Sequence, residues 1–222
     1  KLDLFKKKYI FNEKGNFEGN NILIENNLEI SIEERNKIRK LEEILLIERN
    51  KRNKPEFDNK SQTDQNCFLL ETLLVSSLIT DNETLKSQTI KDIEKIENYL
   101  SKKIFHCYQD TEIDAFLEDY VYFASLLITK YEIDGDELNI NKSKEILIKA
   151  WDNFFDKKSG LLQKNKVNEN DLFVQPIDLN DNNIPNGNSI YLNLCNKLYT
   201  ITNDKIWLEK IDLFSLTKFY HW

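Results

Sequence analysis

An all-α fold built from paired helices is predicted by three features of this 222-residue sequence. Only five Gly and three Pro occur, too few for the regular turns of an all-β protein. Long stretches instead repeat apolar residues at helical spacing. Those stretches are of two kinds in alternation, apolar nearly all round or apolar along one stripe. A helix of the first kind has to be enclosed, whereas one of the second kind lies outside.

The elements follow in chain order. "SIEERNKIRKLEEILLIERNKRN" opens on a capping box at Ser31 and Glu34 and carries an apolar stripe at Ile38, Leu41 and Leu45. It has to stop before Pro55. A helix from about Asp64 to Thr80 follows, in which Phe68, Leu69, Leu70, Leu73, Leu74, Val75, Leu78 and Ile79 leave almost no polar face. "ETLKSQTIKDIEKIENYLSKKI" has one stripe, at Ile93, Ile96 and Leu100. After a break at "FHCYQDTE", "IDAFLEDYVYFASLLITKY" is again apolar nearly all round. "NKSKEILIKAWDNFFD" returns to one stripe, at Ile146, Leu147, Ala150, Trp151, Phe154 and Phe155. An Asn- and Asp-rich loop fills 157–185. "NGNSIYLNLCNKLYTIT" is a third largely apolar helix, and "DKIWLEKIDLFSLTKFYHW" a last amphipathic one.

Short connections make consecutive helices antiparallel neighbours. Repetition of a buried and an amphipathic helix then gives an inner ring wrapped by an outer one, an α/α toroid. In that arrangement every inner helix begins at the same end. The segments "DNKSQTDQN", "TEIDAFLEDY" and "DNNIPNGNS" are therefore predicted to converge, although they lie far apart in the chain. All three carry Asp or Asn, and helix N-termini favour carboxylates and anions.

Composition excludes several classes. The net charge of −7 leaves no basic face for nucleic acid. No apolar run is long enough to cross a membrane. Hydrophobic residues at 40% allow a real core, so the chain is not disordered as a whole. Cys67, Cys107 and Cys195 are odd in number and widely spaced, without a metal-binding pattern, and read as free core thiols in a reducing, cytoplasmic setting. No metal or cofactor is expected. "GNFEG" has neither the Lys nor the spacing of a phosphate loop.

Four motifs in order, "GNFEGNNIL", "RNKRNKPEFDNK", "FLEDY" and "IPNGNS", resemble the thioredoxin-domain-containing proteins of the spermatogenesis-associated family, formerly a domain of unknown function. The sequence departs from the family pattern at Gln65, where Trp is usual, and at Asn186, where Ser is usual. The resemblance implies an N-terminal thioredoxin-like domain joined to an (α/α)6 toroid of the six-hairpin glycosidase type. On that reading residues 1–222 are a fragment of a single toroid domain, with the thioredoxin-like domain and the early hairpins outside this chain.

Such a cavity suggests a carbohydrate or other small-molecule ligand, and glycoside hydrolysis needs two carboxyls. Asp58, Glu118 and Asp119 are the candidate catalytic residues, with Glu18 and Asp181 also near the predicted opening. Because Glu118 and Asp119 are adjacent, they project about 100° apart on a helix, and a pair such as Asp58 with Asp119 is geometrically preferable. Lys60, Asp64, Asn66, Tyr120, Asn188 and Ser189 form the predicted substrate-binding set. The competing structural reading makes the carboxylates helix caps or partners of Lys60, Arg49 and Arg52, and makes Asn188 and Ser189 capping residues. Sugar epimerases on similar toroids use histidines, but His106 and His221 both fall outside the motifs. A non-catalytic scaffold that binds a partner beside the thioredoxin-like domain is the alternative function.

Overall fold

The computed structural model describes residues 2–108, 113–167, 175–181 and 183–218, with side chains to residue 214 apart from that of Tyr108. The chain divides into two compact units, Lys1–Asp58 and Asn59–Trp222.

The first unit holds helix α1 (Leu2–Lys8), the paired strands β1 (Tyr9–Ile10) and β2 (Ile24–Glu25), and helix α2 (Ile32–Asn50). The predicted capping box starts α2: the Glu34 N–H donates to Ser31 Oγ, and the Ser31 N–H donates to Glu34 Oε2. Lys7 and Lys8 of α1 reach Glu34 and Glu42 of α2 at 2.9 and 2.8 Å. The predicted stripe on α2 is only partly covered. Ile38 is fully buried, but Leu45 is 45% exposed. Leu41 and Leu45 line an open, largely apolar cavity of about 900 Å³ together with Phe5, Phe11 and Ile22.

The second unit contains three helical hairpins. They are α3 (Thr63–Ile79) with α4 (Glu83–Tyr99), α5 (Leu117–Asp134) with α6 (Glu137–Phe154), and α7 (Gly187–Thr202) with α8 (Lys205–Lys218). The turns are short for identifiable reasons. Asn82 caps α4 by accepting the Leu85 N–H, and Asp136 caps α6 by accepting the Leu138 N–H. Gly135 and Asn203 end α5 and α7 in the left-handed region, at φ 70° and 54°. Of the stripes predicted for α4 and α6, Ile93, Ile96, Leu100, Ile146, Leu147, Ala150 and Phe154 are all below a tenth exposed, while Trp151 and Phe155 are half-buried.

Polar cross-ties hold the inner helices to their neighbours. Glu71 of α3 accepts from the hydroxyls of Ser125 and Thr129 on α5, and Ser143 of α6 donates to the Ala124 carbonyl on α5. All three cysteines are free and buried, as expected for core thiols.

Two expectations need correction. Helix α3 is not enclosed all round: Leu69 is 54% exposed, Val75 40%, Leu78 44% and Ile79 80%. Within its unit α3 packs on α4 and α5 and so is covered along those flanks, whereas α5 lies between α3, α6 and α7. The other correction concerns the segments read as a break and as a featureless loop. A three-stranded sheet forms from β3 (Ser61–Gln62), β4 (Phe105–Tyr108) and β5 (Ile113–Asp114), in the order β3-β4-β5. The loop after α6 opens with a hairpin of β6 (Phe155–Asp156) and β7 (Leu161–Leu162). Helix α5 accordingly starts four residues later than its apolar pattern predicts, because Ile113 and Asp114 are used as strand. The tail of the last predicted helix, residues 219–222 with His221, lies outside the described residues.

Candidate functional site

The small β-sheet decides where the inner helices begin. Strand β3 runs directly into α3, and β5 precedes α5 by two residues, so pairing of both with β4 sets the two helix starts side by side. The Thr63 hydroxyl donates to the Phe105 carbonyl at 2.6 Å and ties the first turn of α3 to β4.

Asp119 is the centre of this junction and is wholly buried. Its Oδ1 accepts the Asp64 N–H from the first turn of α3 at 3.1 Å, and its Oδ2 accepts the Phe116 N–H at the start of α5 at 2.8 Å. One carboxylate therefore satisfies orphan donors of two helices. His106 on β4 completes the group, with Nδ1 3.1 Å from both Asp119 oxygens. The imidazole packs against Phe116 at 4.6 Å, and its Nε2 lies 3.2 Å from Gln62 Nε2. The hydrogen bond to Asp119 raises the His106 pKa above its ordinary value, with burial and Lys164 acting against it. Burial pushes the Asp119 carboxyl up, and His106 and the Phe116 N–H offset part of that.

Glu118 takes a different direction from the same turn. Its Oε2 is buried without a hydrogen-bond partner among the described residues, and desolvation raises its pKa. The nearby charge of Lys164 acts in the opposite sense. The side chain runs close to the start of α7. A Cβ built on Gly187 would stand 3.1 Å from Glu118 Oε1 and 2.8 Å from two carbons of Leu117. Tyr122 fastens the same three-way junction, because its hydroxyl donates to the Pro185 carbonyl at 2.8 Å. Burial raises the Tyr122 pKa, and the negative charges of Asp64, Glu118, Glu71 and Asp181 add to it.

The predicted convergence of α3, α5 and α7 is thus present, but the candidate residues divide. Asp64, Glu118 and Asp119 gather at the junction. Asn188 is buried there and fully engaged with backbone, accepting the Leu162 N–H and donating to the Leu162 and Asp178 carbonyls. Ser189 belongs to the cap of α7, since Asn186 accepts its N–H and donates to its hydroxyl. Asp181 in turn accepts from the Asn186 backbone and side chain. Asn66 donates to the Gln62 carbonyl, within the first turn of α3. Tyr120 points elsewhere: it pairs with Asn153 and lines a separate cavity of about 420 Å³ between α4, α5 and α6. Asp58 and Glu18 are exposed residues of the first unit, and Lys60 is exposed just ahead of β3.

His106, set aside on sequence because it falls outside the motifs, is brought to this junction by the fold. Its signal was a short run of β-favouring residues, Ile104 to Tyr108, in an otherwise helical chain. A strand there has to pair with something, and its partners are β3 and β5, the strands just ahead of α3 and α5.

One ligand atom each from Asp64, His106 and Asp119 lies within 4.8 Å of the others, close enough to consider a cation. Both Asp119 oxygens already accept N–H donors, however, and the Asp64 Oδ1 accepts the Gln65 N–H. The chemistry of the set is that of a hydrogen-bonded carboxylate–histidine pair.

Fold and site together define an α/α-hairpin protein with a buried acidic cluster where its inner helices begin. Solved structures of similar fold include glycoside hydrolases. The α-1,6-mannanase of glycoside hydrolase family 76 from Salegentibacter sp. HEL1_6 matches with 19% identity and a TM-score of 0.54, over 84% of this chain and 54% of its own. An inactive variant of that enzyme in complex with α-1,6-mannotriose matches with 18% identity and the same TM-score, over 85% and 54%. The family 76 mannosidase of Bacteroides thetaiotaomicron VPI-5482 matches with 16% identity and a TM-score of 0.54, over 74% and 45%. The chain spans about half the length of these structures. No family model matches it, and no curated protein does. The fold is that of the six-hairpin (α/α)6 toroid, of which the second unit supplies three alternating inner and outer pairs.

Proposed function

We propose that the junction of α3, α5 and α7 binds an oligosaccharide and processes it by acid–base chemistry, with Glu118 as the proton donor. The observation that carries this reading is the state of Glu118. A carboxyl with one oxygen buried and unpartnered, and with its pKa raised by desolvation, is a carboxyl kept protonated to higher pH than usual. General acids of glycoside hydrolysis are tuned in this way.

The solved neighbours support the class of ligand. Two inactive variants of the Salegentibacter mannanase have two adjacent aspartates replaced, and they hold α-1,6-mannotriose and an α-1,6-linked mannotetraose. This chain also presents adjacent carboxyls, Glu118 and Asp119, in the first turn of α5. Adjacency works against their sharing one bond, since neighbouring helical side chains project about 100° apart. In the fold it separates two tasks, because Asp119 turns inward to build the junction and Glu118 keeps an oxygen without a partner among the described residues.

Membership of the thioredoxin-domain family is a reading of four sequence motifs, and a scaffold role beside a thioredoxin-like domain follows from that reading alone. Isothermal titration of a panel of manno-oligosaccharides against the full chain tests the carbohydrate reading. Binding that Glu118→Gln preserves, with loss of turnover in that variant, is the expected result. A chain that binds no sugar at millimolar concentration rules it out.

A further inference from the structure

Resting on the reading of this junction as a site of acid–base carbohydrate chemistry, we propose that His106 is its general base, acting through Nε2, and that Asp119 is a positioning residue that works through it. Asp119 is 0% exposed, and its oxygens are taken up by the Asp64 and Phe116 N–H groups, so it has no face toward a ligand. His106 does have one, with 14% of its side chain exposed.

The contact with Asp119 selects the imidazole tautomer. Nδ1 stands between the two Asp119 oxygens, and only an N–H is favourable there. That leaves Nε2 with its lone pair, 3.2 Å from the side-chain amide of Gln62, which can turn its NH2 to it. The opposite tautomer would set a lone pair against a carboxylate. The neutral ring is therefore held with its acceptor toward the exposed Gln62 side chain, the place a hydroxyl or water would take on displacing it. This is the arrangement in which a buried carboxylate orients a histidine base. Asp64 and Asp119 are the negative groups around the ring, and Lys164 is the positive one.

In the hydrolytic step Nε2 takes a proton from the attacking water. The water oxygen bonds the anomeric carbon as the glycosidic C–O bond breaks, and Glu118 gives its proton to the departing oxygen. His106 then releases a proton to solvent and Glu118 regains one, so the cycle closes without a further reactant.

The test uses the full chain, labelled with 15N-histidine, and a panel of α- and β-linked oligosaccharides that includes α-1,6-mannotriose. His106→Gln assigns the resonances against those of His221. The expected spectrum shows His106 as the Nδ1–H tautomer, and an Nε2–H tautomer overturns the proposal whatever the substrate. Turnover of a cleaved oligosaccharide should fall about 10²–10⁴-fold in His106→Gln and recover in part with added imidazole. The acid limb of the wild-type profile should move to lower pH in Asp119→Asn, because the neighbouring charge that raises the His106 pKa is gone. Equal turnover by wild type and His106→Gln overturns the base assignment and leaves the carbohydrate reading standing. Failure of the wild type to bind or cleave any member of the panel overturns both.

Discussion

Helices α3 and α5 are both apolar nearly all round in sequence, yet they are buried to different extents. On α5, Val121, Ala124, Leu126, Leu127 and Ile128 are completely inaccessible. On α3, Cys67 and Leu74 are enclosed while Leu69, Val75, Leu78 and Ile79 face outward. The two helices differ in neighbours. Within the second unit α5 has inner helices on both sides, α3 and α7, and α6 against it, while α3 has α4 and α5. Composition tells that a helix can be surrounded, and the ring position decides how far it is. The same contrast holds at the helix starts. Asp119 is sealed in by three donors, the Asp64 and Phe116 N–H groups and His106 Nδ1, because strands and helices meet over it, whereas Asn66, in the first turn of α3, donates to the Gln62 carbonyl of its own segment.

The contrast can be probed by substitution. The largest effect is expected at Leu127→Ala, which removes a side chain with no exposure in the middle of α5 and should destabilise the protein by about 2–5 kcal/mol in urea unfolding. A loss below 1 kcal/mol there would mean that α5 is no better packed than α3. Gly187→Ala tests whether α7 really closes over the first turn of α5. Its Cβ would meet Leu117 at 2.8 Å, and Leu117 is itself buried, so a destabilisation of about 1–3 kcal/mol is expected despite the better helix propensity of Ala.

A smaller, pH-dependent effect should appear at the shared junction. Because the His106 pKa is raised on folding, its contribution is fully present below the ordinary value of 6.5 and is lost as pH rises through the folded value. Stability measured from pH 6 upward should therefore fall more in wild type than in His106→Gln, and parallel curves would show that the pair adds nothing. The smallest effect belongs to the outward face of α3. Ile79→Ala, at a side chain 80% exposed, should change stability by no more than about 0.5 kcal/mol, and a core-sized loss would show that this face is covered in solution.

Much of this protein is determined by the sequence on its own. Periodicity marks the helices, the single stripes of α4 and α6 identify their buried faces, and Ser31 with Glu34 marks a helix start, because these signals depend on neighbours three or four residues apart. The convergence of the three inner-helix starts also follows, since short turns force antiparallel hairpins. Only the tertiary structure decided which polar residues at that meeting point are structural and which are available. Asn188 and Ser189 are absorbed by backbone and cap, Tyr120 turns to another cavity, and His106 arrives from a strand that no helical pattern announces. A side chain's role at such a junction is set by which donors and acceptors the fold leaves beside it, and those come from segments distant in the chain.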